Sequence, residues 1–162
     1  MRYFIIFCLG FLVTGCGAGI NSNDQIINFF SVQSLTLDRD NIYAVSPELN
    51  KGKFDVEWDT SIDTNFKVSI YVSDSQFVTL KTYRMFGKSC AIDDLSDACA
   101  LNVSTQCQFT NDNLIICPDS DYKALDITPV LKRLPHTTNI HFEICSTEKD
   151  RCENKVQAIT FR

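Results

Sequence analysis

Apolar and polar residues alternate along much of the chain with a period of two, which is the pattern of half-buried β-strands. In the run FDVEWD, Phe54, Val56 and Trp58 share one face while acidic residues occupy the other. The same alternation predicts strands in SLTLD, FKVSIYVS, FVTLKTYRMF, NIHFEIC and VQAITF. Strands of this kind pair in antiparallel sheets that bury one face against a core.

Helical patterns are nearly absent from the chain. The stretch SDYKALDITPVLKRL is the one segment with helical character, and Pro129 would interrupt a helix there. Short strands at close spacing, joined by turns rich in Asp, Asn and Ser, predict an all-β, antiparallel β-sandwich. The length of 162 residues fits one such domain together with an anchor and a linker.

The order of the predicted strands resembles that of fibronectin type III and related immunoglobulin-like domains. Trp58 stands in the second strand, where that family places a core tryptophan, and Leu134 and Pro135 precede the sixth. Ile140 departs from the pattern, because a corner tyrosine would be expected there. The resemblance covers residues 33–162 and implies an immunoglobulin-like sandwich with a disulfide-stapled insertion at about 85–117.

Residues 1–15 have the composition of a signal peptide. Arg2 supplies a positive charge, and the apolar run from Tyr3 to Val13 has the length of a signal-peptide core. A permanent membrane helix needs roughly 20 apolar residues, so this run is too short to span a bilayer. We therefore expect the segment to direct export and then to be removed.

The residues Val13, Thr14, Gly15 and Cys16 resemble the lipobox of bacterial lipoproteins. The resemblance implies lipidation of Cys16, with diacylglycerol on its thiol, cleavage before it, and an acyl chain such as palmitate on the new amino terminus. Several acyl chains, at about 0.8 kcal/mol per buried methylene, anchor a protein stably. Residues 16–32 would then form the lipid anchor and linker.

The residue after the lipobox cysteine bears on location. In many Gram-negative lipoproteins an Asp there retains the protein in the inner membrane, so Gly17 implies the outer membrane, with the domain in the periplasm or at the cell surface. An alternative stays open, in which an ordinary secretory signal is cut near Gly17 or Gly19 and Cys16 is discarded with it.

Six of the eight cysteines remain after the leader and the anchor are set aside: Cys90, Cys99, Cys107, Cys117, Cys145 and Cys152. An even number in an exported chain predicts three disulfides, because the periplasm and the cell exterior are oxidising. The turn formers within CQFTNDNLIIC predict a Cys107–Cys117 hairpin, and the polar centre of CSTEKDRC predicts a Cys145–Cys152 pair. Cys90 and Cys99 remain to close CAIDDLSDAC. The spacings are too wide for the usual zinc templates, so no metal site is predicted.

Composition argues against several classes of function. With 20 Asp and Glu against 15 Lys and Arg, the chain lacks the basic patch typical of nucleic-acid binding. Beyond residue 19 the only glycines are Gly52 and Gly87, so no glycine-rich loop is present for a nucleotide or another phosphate cofactor. His136 and His141, the only histidines, are expected to be solvent-exposed, and neither GxSxG nor HExxH occurs. No catalytic residue is therefore predicted.

Together these features predict a non-catalytic binding or adaptor module in the bacterial envelope. Its partners would be the bilayer, through acylated Cys16, and an envelope or extracellular protein. The disulfide-rich stretch from Arg84 to Asp121 has the layout of a recognition element, because rigid strands hold loops of restricted entropy. Protection of a long loop from proteolysis is an equal alternative role for these disulfides. Two alternatives are an inhibitor that inserts one of the disulfide-closed loops into a hydrolase, and a structural subunit of a secretion or pilus assembly.

Overall fold

The computed structural model describes residues 25–77, 82–91 and 93–162. The predicted signal peptide and Cys16 lie outside the described residues. Eleven strands run through the described part of the chain: β1 (Ile27–Gln33), β2 (Thr36–Leu37), β3 (Tyr43–Val45), β4 (Lys53–Thr60), β5 (Phe66–Ser73), β6 (Tyr83–Cys90), β7 (Asn102–Phe109), β8 (Leu114–Ile116), β9 (Leu125–Asp126), β10 (His136–Ser146) and β11 (Arg151–Phe161).

The strands form two sheets, so the all-β prediction is confirmed. The first sheet has the order β1-β4-β7-β8-β9, and the second has the order β2-β3-β11-β10-β5-β6. Neighbouring strands are antiparallel except for β3 and β11, which run parallel. The segment around Pro129 contributes the short strand β9 and a turn rather than a helix. None of the described residues belongs to a helix of the length and apolarity that crossing a membrane requires.

The core lies between the two sheets and is centred on aromatic side chains. Alternation in β4 points Phe54, Val56 and Trp58 inward, and each is at least 99 % buried. From the first sheet, Trp58 contacts Phe86 and Phe142 of the second, with ring centroids 5.7 and 5.5 Å apart. Burial of large apolar side chains contributes roughly 1.5–3 kcal/mol each, so these contacts bind the sheets together.

The domain begins earlier than the sequence predicted. Residues 16–32 were expected to form an anchor and linker, but Ile27–Gln33 is strand β1, paired with β4. A bulge between Ile27 and Phe29 interrupts the alternation, so that Ile27 and Val32 are both fully buried although an odd number of steps separates them. The bulge hides the period-two pattern, and the linker prediction is therefore wrong from residue 27 onward.

The predicted insertion at 85–117 is also corrected, because its residues form strands of both sheets. β6 extends the second sheet, and β7 pairs with β4 over seven register positions at the centre of the first. In β7 the inward positions include Thr105 and Cys107 beside Val103 and Phe109. Polar and sulfur-bearing residues at those positions weaken the hydrophobic alternation by which a strand is recognised.

Two further strand predictions are refined by the structure. The run FVTLKTYRMF was expected to be a strand, whereas β6 begins only at Tyr83 and continues to Cys90; residues 78–81 of that run lie outside the described chain. SLTLD does contain an edge strand, β2, but Leu35 and Leu37 are 78 % and 51 % exposed rather than buried.

The free edge of β1 is closed by side chains of β11. Gln157 accepts a hydrogen bond from Val32 N at 2.9 Å and donates one to Val32 O at 2.7 Å. Glu153 accepts hydrogen bonds from Ile26 N and Ile27 N at 2.9 and 3.0 Å through one carboxylate oxygen. An amide and a carboxylate thus take the place of a neighbouring strand and join the two sheets along this side.

We expect Gln157→Leu to lower the free energy of unfolding by about 2–6 kcal/mol. Val32 is fully buried, so the variant would leave its N–H and C=O without partners, at about 1–3 kcal/mol each. Urea unfolding followed by the fluorescence of Trp58 measures the change. Gln106→Leu is the matched control: Gln106 bonds Asp55 on an exposed surface, and the expected change is about 0.5 kcal/mol. Equal losses in the two variants would contradict the role given to Gln157.

Candidate functional site

The two ends of the sandwich are formed by different parts of the chain. At one end lies Gln25, whose carbonyl accepts a hydrogen bond from Ser61 Oγ at 2.7 Å beside the connection from β4 to β5. We call this the tether end. The opposite end is formed by the Ser46–Leu49 turn, the loop between β7 and β8, the segment that leads into β10, and Arg162 after β11. We call this the far end.

Two adjoining recesses open at the far end, and Arg162 lines both of them. The first measures about 450 Å³ and lies among Ser46, Pro47, Glu48, Leu49, Phe109, Thr110, Asn111, Asn113 and Leu134. The second measures about 480 Å³ and is bordered by Asp38, Arg39, Asp40, Pro135, Thr137 and Thr160. Four loops that are distant in sequence meet here, which is why no single sequence motif marks the recesses.

Asp38 organises the second recess. Its carboxylate accepts hydrogen bonds from Thr160 Oγ1 at 2.5 Å and from the backbone N–H groups of Asp40 and Ile42 at 2.8 and 2.9 Å. The Thr160 hydrogen bond contributes most to holding the pKa of Asp38 below its ordinary value, followed by that of Ile42. The carboxylate is therefore engaged in holding the Asp38–Ile42 turn against β11.

His141 is buried and His136 is half-buried, which corrects the prediction that both are solvent-exposed. His141 lies on the outer face of β10, as alternation predicts, but it is only 3 % exposed because the turn after β5 covers it and its Nε2 lies 2.8 Å from Ser75 O. His136 begins β10, and its Nε2 lies 2.7 Å from Asp74 Oδ1. Among the described residues, the His136 ring contacts a carboxylate and the His141 ring contacts a backbone carbonyl. Neither contact is to the hydroxyl or thiol of a nucleophile.

Asp74 joins the β5–β6 turn to the approach of β10. Besides its contact with His136, its carboxylate lies 2.8 Å from Lys132 Nζ. Partial burial raises the pKa of Asp74, but the hydrogen bonds from His136 and Lys132 outweigh that effect, so the pKa lies below the ordinary 3.8. A carboxyl whose pKa is lowered by folding stabilises the folded state above its unfolded pKa and loses this contribution as the pH falls through its folded pKa.

We expect Asp74→Asn to make the free energy of unfolding fall less steeply as the pH is lowered. The wild-type protein should lose the Asp74 contribution below about pH 4, whereas the variant has no carboxyl to titrate at this position. At pH 7 the free energy of unfolding of the variant should be lower than that of the wild type by about 1 kcal/mol or less. Urea unfolding at steps from pH 7 to pH 3 measures both slopes. Asp112→Asn, in an exposed turn, should keep the wild-type slope, and parallel curves for Asp74→Asn and the wild type would refute the assignment.

A second polar cluster holds the segment after β8 against the edge of β6. Arg84 lies between two tyrosine rings and donates to Tyr122 Oη at 2.6 Å and to Tyr71 Oη at 3.1 Å. Gly87 makes room for this contact, because a Cβ there would lie 2.6 Å from Tyr122 Cε2. The cluster covers part of an edge strand, and its arrangement indicates a structural role.

The six body cysteines form the three pairs predicted from the sequence: Cys90–Cys99, Cys107–Cys117 and Cys145–Cys152. Cys145 and Cys152 are directly opposed on β10 and β11. Cys107–Cys117 lies one register position beyond the last pair of β7 and β8. These two disulfides link strands that already pair, whereas Cys90–Cys99 closes a loop between β6 and β7.

The loop from Cys90 to Cys99, here called the Cys90 loop, is braced inside and apolar at its apex. Asp94 Oδ1 accepts a hydrogen bond from Ser96 N at 2.9 Å, and Cys99 N donates to Ser96 O at 2.9 Å. The hydrogen bond from the Ser96 N–H contributes most to lowering the pKa of the Asp94 carboxyl. Leu95 is 97 % exposed, more than any other large apolar residue that the structure describes. Sequence reasoning singled out this loop but not Leu95.

One cluster in this loop has the composition of a metal site but not its chemistry. Cys90, Asp94 and Cys99 bring potential ligand atoms within 4.8 Å of one another. A metal would require cysteine thiolates, and the two sulfurs are bonded to each other in a disulfide. The cluster is therefore a brace of the loop.

Comparison with known proteins gives no relative from which a site could be transferred. No protein-family model, curated protein or solved structure shows a significant match to the chain.

Proposed function

We propose that this protein is exported and anchored by lipid to the bacterial outer membrane, where it acts as a non-catalytic binding or adaptor module for an envelope or extracellular protein. The observation that carries the proposal is the placement of Gln25. This residue follows Cys16 by nine positions and lies at the end of the sandwich opposite the two recesses. A lipid at Cys16 would leave the far end directed away from the membrane.

The length of the connecting segment supports this arrangement. Gln25 follows Cys16 by nine residue steps, which reach at most about 32 Å when fully extended. A segment of this length would hold the tether end near the membrane. The three disulfides add support for an exported location, since such bonds persist in oxidising compartments.

The strand order supports an immunoglobulin-like sandwich as the finer description of the fold. The neighbours β1-β4-β7 occupy the positions of strands A, B and E, and β5-β10-β11 occupy those of C, F and G. Trp58 packs in the core from the second of these strands, as in the fibronectin type III pattern. β8 and β9 extend the first sheet beyond this pattern. Domains of this architecture present loops at both ends, which suits a binding role.

The far end has the properties of a preformed binding surface. Its two recesses combine apolar walls, amide side chains and the guanidinium groups of Arg39 and Arg162. Hydrogen bonds of Asp38 and Asp74 hold the surrounding turns in place before any partner arrives. A surface that is ordered in advance loses less entropy when it binds.

The lipid anchor is tested by Cys16→Ser. We expect the variant to lose incorporation of radiolabelled palmitate and to leave the outer-membrane fraction, because no other position carries the lipobox cysteine. Cys8→Ser, which removes the other leader cysteine, is the matched control and should label as the wild type does. Persistent labelling of Cys16→Ser would overturn the anchor.

The binding role is tested at the far end in intact cells of the native host. A photoreactive amino acid at position 111, on the rim of the first recess, should form an adduct with an envelope protein. The same residue at position 106, on the exposed outer face of β7, is the control and should give no such adduct. Absence of an adduct from position 111, or equal adducts from both positions, would contradict binding through the far end.

A further inference from the structure

The disulfide between Cys145 and Cys152 is the most accessible of the three. It lies on the outer face of the β10–β11 pair, where Cys152 is exposed and Cys145 is half-buried. The other four bonded cysteines are at most 6 % exposed, and they are Cys90, Cys99, Cys107 and Cys117. Thiol–disulfide exchange requires a thiolate to reach one sulfur of the bond, so this disulfide is the one open to exchange in the folded protein.

Alongside Cys152, β11 is an open edge of the second sheet. Besides β10, the neighbour of β11 in this sheet is β3, which pairs with it at Thr160 and Phe161 near the far end. In the described part of the chain no strand therefore lies beside Cys152, and the next outward residues of β11, Asn154 and Val156, are exposed as well. An attacking thiolate can thus approach Cys152 Sγ from the side opposite Cys145, along the line of the bond that breaks.

The backbone of Cys152 faces the same open edge. Thr147 N donates to Asn65 O at 2.9 Å, so the odd-numbered residues of β10 direct their backbone groups toward β5. Cys145 and Cys152 are therefore a non-hydrogen-bonded pair, and the N–H and C=O of Cys152 point away from β10. An extended segment of another protein can pair with these groups as an added strand. A cysteine opposite Cys152 in that strand would have its thiol on the same face, next to the disulfide.

A cation lies on the other side of the disulfide. Lys67 of β5 is directly opposite Cys145 on the outer face, and it is exposed. Among the described residues, no ion pair engages its ammonium group. The carboxylate on the same face of β10, that of Glu143, accepts a hydrogen bond from Tyr71 Oη at 3.3 Å. Attack on Cys152 places negative charge on Cys145 Sγ, on the strand next to Lys67, and a nearby cation stabilises a thiolate.

The hairpin of β10 and β11 does not depend on this bond for its structure. The two strands pair at eleven register positions, and Ile140, Phe142 and Ile144 of β10 are fully buried in the core. The separation of 7 residues is the shortest among the three disulfides. A bond that closes a short loop restricts the unfolded chain least, so the domain is expected to stay folded when this disulfide opens.

We propose that Cys145–Cys152 is a thiol–disulfide exchange site whose substrate is a dithiol in an extended segment of another exported protein. One substrate thiolate attacks Cys152 Sγ; a bond forms between these sulfurs, and the Cys145–Cys152 bond breaks with its electron pair passing to Cys145 Sγ. The second substrate thiolate attacks the substrate sulfur of this mixed disulfide and releases Cys152 as a thiolate.

The net reaction transfers the disulfide. The substrate dithiol is oxidised by two electrons to a disulfide, and Cys145 and Cys152 are reduced and take up the two protons that the substrate loses. The exchange is stoichiometric, with one disulfide transferred by each molecule. It is an activity additional to the proposed binding role, and it takes place at the side of the second sheet rather than in the recesses of the far end.

Selective opening of the bond is tested on the purified full-length protein in detergent, without denaturant. Treatment with dithiothreitol, quenching with acid, alkylation and peptide mapping give the rate at which each cysteine is reduced. We expect Cys145 and Cys152 to react at least about tenfold faster than the other four, with the fluorescence of Trp58 unchanged. Equal rates for all six cysteines, or loss of the folded fluorescence as this pair opens, would overturn the proposal.

Recognition of an extended substrate is tested with two synthetic dithiol peptides. One is built of residues that favour strands, and the other has proline on both sides of the first cysteine, which removes the backbone donors that an added strand needs. We expect the first peptide to reduce Cys145–Cys152 about tenfold faster than the second. Equal rates for the two peptides would contradict strand addition at the open edge.

The part played by Lys67 is tested by Lys67→Gln. The rate of exchange with the first peptide should fall by about threefold or more, because the cation beside the departing Cys145 thiolate is lost. Lys67→Arg should restore the rate. Lys53→Gln, which removes an exposed lysine of β4 in the other sheet, is the matched control and should react as the wild type does. A wild-type rate for Lys67→Gln would exclude this role.

Exchange in the native host is tested by two variants that each leave one cysteine of the pair. In Cys145→Ser the exposed Cys152 thiol should form mixed disulfides with exported proteins, because no neighbouring thiol is left to release them. Cys152→Ser leaves the half-buried Cys145 thiol and is the matched control, with at least about tenfold less adduct expected. Absence of adducts, adducts only between two copies of the variant, or equal yields from both variants would each refute the exchange site.

Discussion

Strand β1 is bound to the rest of the sandwich on one side by backbone pairing and on the other by two side chains. Gln157 and Glu153 satisfy the backbone of β1 where no neighbouring strand exists. Because β1 is the first described element, this closure fixes the place where the chain enters the domain. Which end of the sandwich is the tether end depends on it.

The sequence predicted those strands whose inward positions are uniformly apolar. β4, β5 and β10 were recognised because residues such as Val56, Val68 and Phe142 recur at every second position. β1 was missed because a bulge shifts its phase, and β7 was taken for an insertion because Thr105 and Cys107 occupy inward positions. Period-two alternation identifies a strand only when one face is uniformly apolar. The prediction fails where a bulge shifts the alternation or where polar side chains point into the core.

The candidate sites were less accessible from sequence than the fold. The disulfide pairs could be anticipated because each joins cysteines separated by a turn. The recesses could not, since they form where turns distant along the chain meet at the far end. The histidines show the same limit: the direction of His141 follows from strand alternation, but its burial results from a turn that begins 67 residues earlier, at Asp74. Side-chain direction is local information, whereas solvent exposure is a property of the assembled chain.

The disulfides have a consequence for how the protein acquires its structure. The six cysteines of the body pair in chain order, the first with the second, the third with the fourth and the fifth with the sixth, at separations of 9, 10 and 7 residues. Of the fifteen ways to join six cysteines, this is the arrangement in which no bridge encloses or crosses another and every bridge joins consecutive cysteines. A chain that emerges amino terminus first can complete each bond before the next cysteine pair appears. An oxidant that joins successive thiols would therefore yield the native set directly, with no later reshuffling of bonds.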